Sequence, residues 1–238
     1  MPSYYVPKTF TVGETVRLSA EETAHALRVM RLEPGERLTL LNGQGGRAAA
    51  VLLDDGPTRK IREAACRVES AELVPQPKLA IILYVAPPRN KNMDTVLKSA
   101  TELGVAKIVP VICRYAVSRP DASAIESWSQ TLVTAMKQSG NPWLPELDAP
   151  QAFSKALANS HEDGFFGAVP RPGDLQASDF PYTPDRLSLW VGPEGGFSPE
   201  EEQALRDKGL MPLTIGPWIL RVETAVTALI GSLLTQFH

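Results

Sequence analysis

Arg186-Leu187-Ser188-Leu189-Trp190-Val191-Gly192-Pro193-Glu194-Gly195-Gly196-Phe197-Ser198-Pro199-Glu200-Glu201 passes from strand to glycine loop to helix start in one run. Residues 186–191 are apolar enough for a buried parallel strand. Ser198 is a capping residue, Pro199 suits the first helical position, and Glu201 is the capping-box partner three residues on. Gly209 ends that helix. A loop that leaves the carboxyl end of a parallel strand lies where α/β sheets bind ligands. Its glycines permit positive φ and close approach of backbone to a ligand. The spacing is neither G-x-G-x-x-G nor a P-loop, so a diphosphate cradle is not supported. The plainer alternative is a tight connection with Glu194 as a solvated or capping carboxylate.

Working outward, the chain repeats this pattern. Leu213-Thr214-Ile215-Gly216-Pro217-Trp218-Ile219-Leu220-Arg221-Val222-Glu223-Thr224-Ala225 again reads strand, Gly-Pro loop, helix. Val226, Leu229, Ile230, Leu233, Leu234 and Phe237 form the apolar stripe of that last helix. Glu223 complements the helix dipole, whereas the cation Arg221 is disfavoured at that end. The mismatch marks Arg221 as a functional candidate; an ion pair with Glu223 or Glu194 is the alternative. Upstream, 79–85 and 107–112 are strands, and Pro110 suggests an edge or strand end. Asp94 is the expected cap of a helix over 95–103, with Gly104 after it. Ile125, Trp128, Leu132 and Met136 mark one face of a helix that ends at Gly140. Signals over 145–180 are weaker. Alternation of strand and helix implies a mostly parallel sheet with helices on both faces.

Before residue 79 the character differs. Leu73-Val74-Pro75-Gln76-Pro77-Lys78 resists helix and reads as an extended linker, so two domains are expected, 1–72 and 73–238. The first holds four β-prone runs, at 4–6, 15–18, 37–41 and 47–53. Asn42-Gly43 and Gly45-Gly46 mark a hairpin between the last two. One helix, capped by Ser19 with Glu22 as its capping-box partner, runs on to Met30. The expected form is a small β-barrel with one helix.

Composition narrows the class. The 238 residues carry 24 Lys and Arg against 27 Asp and Glu, a formal charge of −3. That argues against a protein coated in positive charge for nucleic acid, without excluding local patches. Up to residue 72 there are 10 basic and 10 acidic residues, so the excess of acid lies in the second part. Three histidines and the two cysteines Cys66 and Cys113 give neither a zinc spacing nor a disulfide framework. No run approaches the ~20 apolar residues of a membrane span, and no secretory signal is read. A cytoplasmic protein without metal or membrane is expected.

Gly192-Pro193-Glu194-Gly195-Gly196-Phe197-Ser198 followed by Ile219-Leu220-Arg221-Val222-Glu223-Thr224-Ala225 resembles the bacterial RsmE family, 16S rRNA (uracil-N3)-methyltransferases of the SPOUT superfamily. Leu97-Lys98-Ser99-Ala100-Thr101-Glu102-Leu103-Gly104-Val105 and His25-Ala26-Leu27-Arg28-Val29-Met30-Arg31-Leu32 extend the likeness over nearly the whole chain. The resemblance implies an α/β protein with a small PUA-like β-barrel N-terminal domain. A SPOUT-type α/β domain follows, with a deep C-terminal trefoil knot at about 187–238. It implies S-adenosylmethionine as cofactor, a homodimer, and 16S rRNA or the assembled small subunit as partner. Carried over by position, cofactor contacts fall on Val191, Gly192, Glu194, Gly195 and Gly196, on Thr214, Ile215 and Gly216, and on Ile219 and Leu220. A glycine loop without a phosphate signature suits a cofactor without phosphate.

Methylation of uracil N3 requires loss of its proton. Arg221 is expected to stabilise charge on the flanking carbonyl oxygens. Glu194 or Glu223 accepts the proton or only orients Arg221. Arg28, Arg31, Arg37, Arg89, Lys91 and Lys98 are the expected RNA contacts, with Arg47, Arg59, Lys60 and Arg62 in the same small-domain clusters. Lys137 and Asn141 depart from the family pattern, which touches substrate-side or dimer contacts rather than the cofactor. The alternatives are another SPOUT methyltransferase, acting on a tRNA base or a ribose 2′-hydroxyl, and a non-catalytic ribosome-assembly factor. A nicotinamide oxidoreductase lacks its fingerprint here.

Overall fold

The computed structural model describes residues 1–55, 62–89, 92–169 and 185–237. The chain divides into two compact units, 1–76 with 136–144, and 77–135 with 145–238. The return of 136–144 to the first unit is an attachment that no single cut in the sequence contains.

In the first unit, strands β1 (Ser3–Tyr5), β2 (Thr15–Arg17), β3 (Arg37–Leu41), β4 (Gly46–Leu52) and β5 (Ala65–Leu73) form one sheet ordered β1-β3-β4-β5-β2. Only the β1–β3 pairing is parallel. The expected small barrel takes the form of a curled five-stranded sheet, in which no pairing among the described residues joins β1 to β2. A register shift between Ala49 and Ala50 bends it. Strand β5 is new relative to the sequence reading. Its outer half is exposed and polar, so it carries little hydrophobic signal. Tyr4, Leu18, Leu38, Leu40, Leu52 and Val68 fill the core. The β3–β4 hairpin turns on the Asn42-Gly43 signal. Asn42 Oδ1 accepts from the N–H groups of Gln44 at 2.8 Å and Gly46 at 2.7 Å.

Helix α1 (Ala20–Ala24) starts at Ser19, whose hydroxyl accepts from the Glu22 N–H at 3.2 Å. It continues as a π-helical turn, His25–Val29, where Met30 N–H reaches His25 O. The reciprocal half of the expected capping box is absent. The Glu22 carboxylate instead accepts from Lys137 Nζ at 2.6 Å, with side chains only 7% and 17% exposed. Asn141 Oδ1 accepts from Trp143 N–H, and Trp143 Nε1 donates to Val74 O at 3.2 Å. The Trp143 indole lies against Gly45, where any side chain would collide with it. The two departures from the family pattern, Lys137 and Asn141, therefore both have structural work in the first unit. Breaking a buried pair strands one charge, which costs about 3–5 kcal/mol. Lys137→Met is expected to lower stability to urea by about 3 kcal/mol. Adding Glu22→Leu should recover most of that, since the stranded carboxylate is gone. A single substitution with wild-type stability would show that the pair contributes nothing.

In the second unit, seven strands form one wholly parallel sheet. They are β6 (Ala80–Val85), β7 (Lys107–Ile112), β8 (Glu146–Leu147), β9 (Gln151–Ala152), β10 (Gly164–Gly167), β11 (Arg186–Val191) and β12 (Met211–Leu213). The order is β12-β10-β11-β6-β7-β8, with β9 also on β7. Pro110 marks neither an edge nor a strand end, contrary to expectation. β8 pairs with Lys107 and Ile108, and β9 with Val111 and Ile112. The break between those two short strands falls at Val109-Pro110, where the proline has no N–H to give.

The helices are α2 (Asn92–Glu102), α3 (Ala122–Ser139), α4 (Phe153–Ala158), α5 (Pro199–Asp207) and α6 (Val222–Gln236). Helix α2 begins before the expected cap, so Asp94 lies in its first turn, where a carboxylate still complements the dipole. It ends as predicted at Gly104, φ +76°, with Val105 N–H on Ala100 O. On one sheet face Trp190 stacks on Tyr84 at 4.3 Å and 4°. Phe166, Ala156 of α4 and Leu205 of α5 complete that layer. On the other face a side chain at Gly167 would meet Leu229 of α6, which itself packs against α2. Helices thus cover both faces. Residues 170–184, part of the weakly signalled stretch, lie outside the described residues.

Candidate functional site

The carboxyl ends of β10, β11 and β12 and the N-terminal turns of α6 enclose a cleft of about 200 Å³. Residues 192–196 form one wall, and Ile215, Trp218, Ile219, Leu220 and Val222 form another. The glycine loop is held from both sides. Gly196 takes φ +73° and its N–H bonds Pro193 O at 2.8 Å. A side chain at Gly192 would crowd Phe197 N at 3.2 Å, and one at Gly195 would meet Tyr115 at 3.3 Å. Behind the loop, the expected capping box of α5 is complete. Ser198 Oγ accepts from Glu201 N–H, and Glu201 Oε2 accepts from Ser198 N–H at 2.9 Å. Glu201 Oε1 also accepts from Arg114 N–H at 2.8 Å, which ties the start of α5 to the residues after β7. One carboxylate therefore fixes the loop's exit.

Of the expected cofactor residues, the cleft brings together Val191, Gly192, Glu194, Gly195, Gly196, Ile215, Ile219 and Leu220. Thr214 and Gly216 lie in the same loop but do not line it. Strand β12 ends at Leu213, earlier than the sequence suggests, so Thr214 and Ile215 belong to the loop. Sequence reasoning missed Gly167, Ala168 and Val169 at the end of β10, and the apolar floor of Val222, Ala225 and Leu229. The only sign of β10 was two aromatics between glycines.

Glu194 is the one ionisable residue lining the cleft among the described residues. Its Oε1 accepts from the Arg89 N–H at 3.0 Å, so it joins the segment after β6 to the glycine loop. Arg221 is the N-cap residue of α6, exposed, with no side-chain cap bond. Among the described residues it pairs with neither Glu194 nor Glu223, which removes the ion-pair alternative. Glu223 sits half-buried in the first turn of α6. Burial, with Glu201 adding to it, pushes the Cys113 thiol up to about 12, and burial does the same to Cys66. Neither offers a thiolate near neutral pH.

The expected RNA contacts divide differently. Arg28 and Arg31 are exposed and unpaired among the described residues, flanking the exposed Val29 and Met30. Arg37 is spoken for by Glu69 at 2.9 Å and Arg47 by Glu72 and Gly140 O. Arg62, Arg89 and Lys98 are exposed. Arg59, Lys60 and Lys91 lie outside the described residues. Among the described residues there is no group of three or more potential metal ligands, and no helix is long and apolar enough to cross a membrane.

Fold and cleft together define a parallel α/β domain that takes its ligand at the carboxyl strand ends, preceded by a small curled-sheet domain. A family model for an RNA methyltransferase domain matches residues 75–234, and one for an RNA methyltransferase PUA domain matches 18–60. The chain belongs to the RNA methyltransferase family. It is 33% identical over 230 residues to ribosomal RNA small subunit methyltransferase E of Aquifex aeolicus, covering 93% of this chain and 95% of the relative. With the enzyme of the same name from Synechocystis it shares 26% over 236 residues, 93% of this chain and 73% of the relative. The crystal structure of ribosomal RNA small subunit methyltransferase E from Neisseria gonorrhoeae bound to S-adenosyl methionine superposes with a TM-score of 0.91. That pair is 29% identical and covers 100% of this chain and 98% of the other.

Proposed function

We propose that this protein transfers the methyl group of S-adenosylmethionine to N3 of a specific uridine in 16S rRNA of the small ribosomal subunit. The observation that carries the reading is the cleft itself, mostly apolar, glycine-walled and, among the described residues, without a cation. Such a wall suits a neutral adenosine and would serve a phosphate poorly. Gly192, Gly195 and Gly196 offer bare backbone to a ligand, and Ile215, Ile219 and Leu220 offer aliphatic surface. Glu194 gives the cleft one carboxylate, whose charge would complement a cationic cofactor. When bound, the cofactor supplies an electrophilic methyl group.

The chain's own residues must position the uracil and favour its anion. Arg221, unpaired at the end of the cofactor loop, directs its fork at the carbonyl oxygens that flank N3. Holding two reactants in line supplies several kcal/mol, up to about 7–11 in ideal cases. Glu194 is occupied with the Arg89 N–H, so its part is to brace the loop. Glu223, whose carboxylate has no hydrogen-bond or ion-pair partner among the described residues, is the carboxylate left to take the N3 proton. Arg28 and Arg31 contact RNA phosphates from the first unit, and Arg89, Lys91 and Lys98 do so from the second. We read the active form as a homodimer in the cytoplasm. We also read 187–238 as a trefoil knot: the chain leaves β12 at one edge, then returns past the glycine loop so that α6 packs on β11 and α2.

The test is methylation of small-subunit rRNA, free and as assembled subunits, followed by mapping of the modified nucleoside. N3-methyluridine at one site is the expected result. A methyl group on ribose or on tRNA would replace the reading, and no transfer to any RNA would end it.

A further inference from the structure

Trp218 is 77% exposed, and so is Ile219 beside it. The other tryptophans of the chain are placed otherwise. Trp190 is fully buried, Trp128 is 7% exposed, and Trp143 donates its indole N–H to Val74 O. Trp218 has no ring contact and no hydrogen bond among the described residues. Exposing so large an apolar ring is unfavourable unless something covers it. It follows a turn in which Gly216 takes φ +63° and Pro217 fixes its own φ. It stands on the wall of the cleft, three residues before the unpaired Arg221.

We infer that Trp218 is a substrate-binding residue whose indole stacks on the face of the target uracil. The inference rests on the proposed function. N3 lies on the pairing edge of the base, so the enzyme needs an unpaired uracil, taken from a single strand or extruded into the site. An unstacked base loses its neighbours' π surfaces, and an exposed aromatic ring replaces them without regard to sequence. A face-on contact from Trp218 leaves the edge of the ring, with its carbonyl oxygens and N3, to Arg221 and Glu223. The two devices address different parts of the same base.

The experiment compares wild type, Trp218→Ala and Trp218→Phe as full-length proteins. It measures S-adenosylmethionine affinity by calorimetry, kcat and KM for the methylated rRNA substrate, and sedimentation. Trp218→Ala is expected to raise KM for RNA on the order of 10–100-fold, with cofactor affinity and sedimentation unchanged. Trp218→Phe, which keeps a π face, should recover most of the loss. A fall in cofactor affinity would overturn the inference by making Trp218 a cofactor wall. A shift from dimer to monomer would overturn it by giving the ring to a second copy. Unchanged kinetics would overturn it alone, whereas a wild type that methylates no RNA removes the proposed function beneath it.

Discussion

Arg221→Ala is expected to slow methyl transfer by about 10²–10³-fold, the usual loss when one pre-placed donor to a developing anion is removed. Stability should not fall with it. Arg221 precedes the first turn of α6 and makes no cap hydrogen bond, so truncation leaves no orphaned partner. Its charge opposes the helix dipole, an exposed unfavourable contact of about 0.3–1 kcal/mol. Alanine should therefore leave the melting temperature unchanged or raise it slightly. Loss of turnover with no loss of stability is a signature that a structural arginine does not give.

Three further measurements sharpen this result. S-adenosylmethionine affinity should stay near wild type, because the Arg221 side chain does not line the cleft. Arg221→Lys keeps the charge without the planar fork, so its rate should fall between the two. Raising the pH should restore part of the alanine variant's rate, since the N3 proton then leaves without help. Wild-type turnover in Arg221→Ala would refute the assignment, and collapse of cofactor binding alone would make the residue structural.

Legibility of the sequence followed burial and local chemistry. The β11–α5 run was readable because every device in it is local: an apolar strand, a glycine loop, and the Ser198–Glu201 box. For the same reason the glycine loop could be placed at a ligand site, and it lines the cleft. β5 was not, since its outer half faces water. β8 and β9, of two residues each, are too short to show a period. Glu22 misled because a long-range partner, Lys137, outcompeted its local one, and nothing within three residues of Glu22 announces that. Trp218 stood inside a quoted motif yet had no assigned role, because exposure is a tertiary property. The proposed knot has no sequence signal at all, since a knot concerns which loop passes through which.

Gly164→Ala is the second large effect, and it falls on the strand that the sequence showed least. A Cβ at Gly164 would sit 2.0 Å from the backbone oxygen of Ser188, its partner across the β10–β11 ladder. The obstacle is main chain in a central strand, so no side-chain rotation relieves it. β10 lies between β11 and β12 and has no free side toward which to shift. Overpacking of this kind costs about 3 kcal/mol or more, which in a chain of this size lowers the melting temperature by roughly 10 °C. The cleft should suffer as well, because Gly167, Ala168 and Val169 at the end of the same strand line it. Cofactor affinity is thus expected to fall together with stability, the opposite of the Arg221 pattern. Gly231→Ala is the matched control: it lies within α6, and nothing stands within 4 Å of the added methyl. There the substitution should stabilise by about 0.5–1 kcal/mol, through helix propensity alone. Thermal melts that show the same sign for both glycines would refute the argument, since Gly164, at φ +152°, confronts a side chain with both a strained backbone and a main-chain clash, and Gly231 with neither.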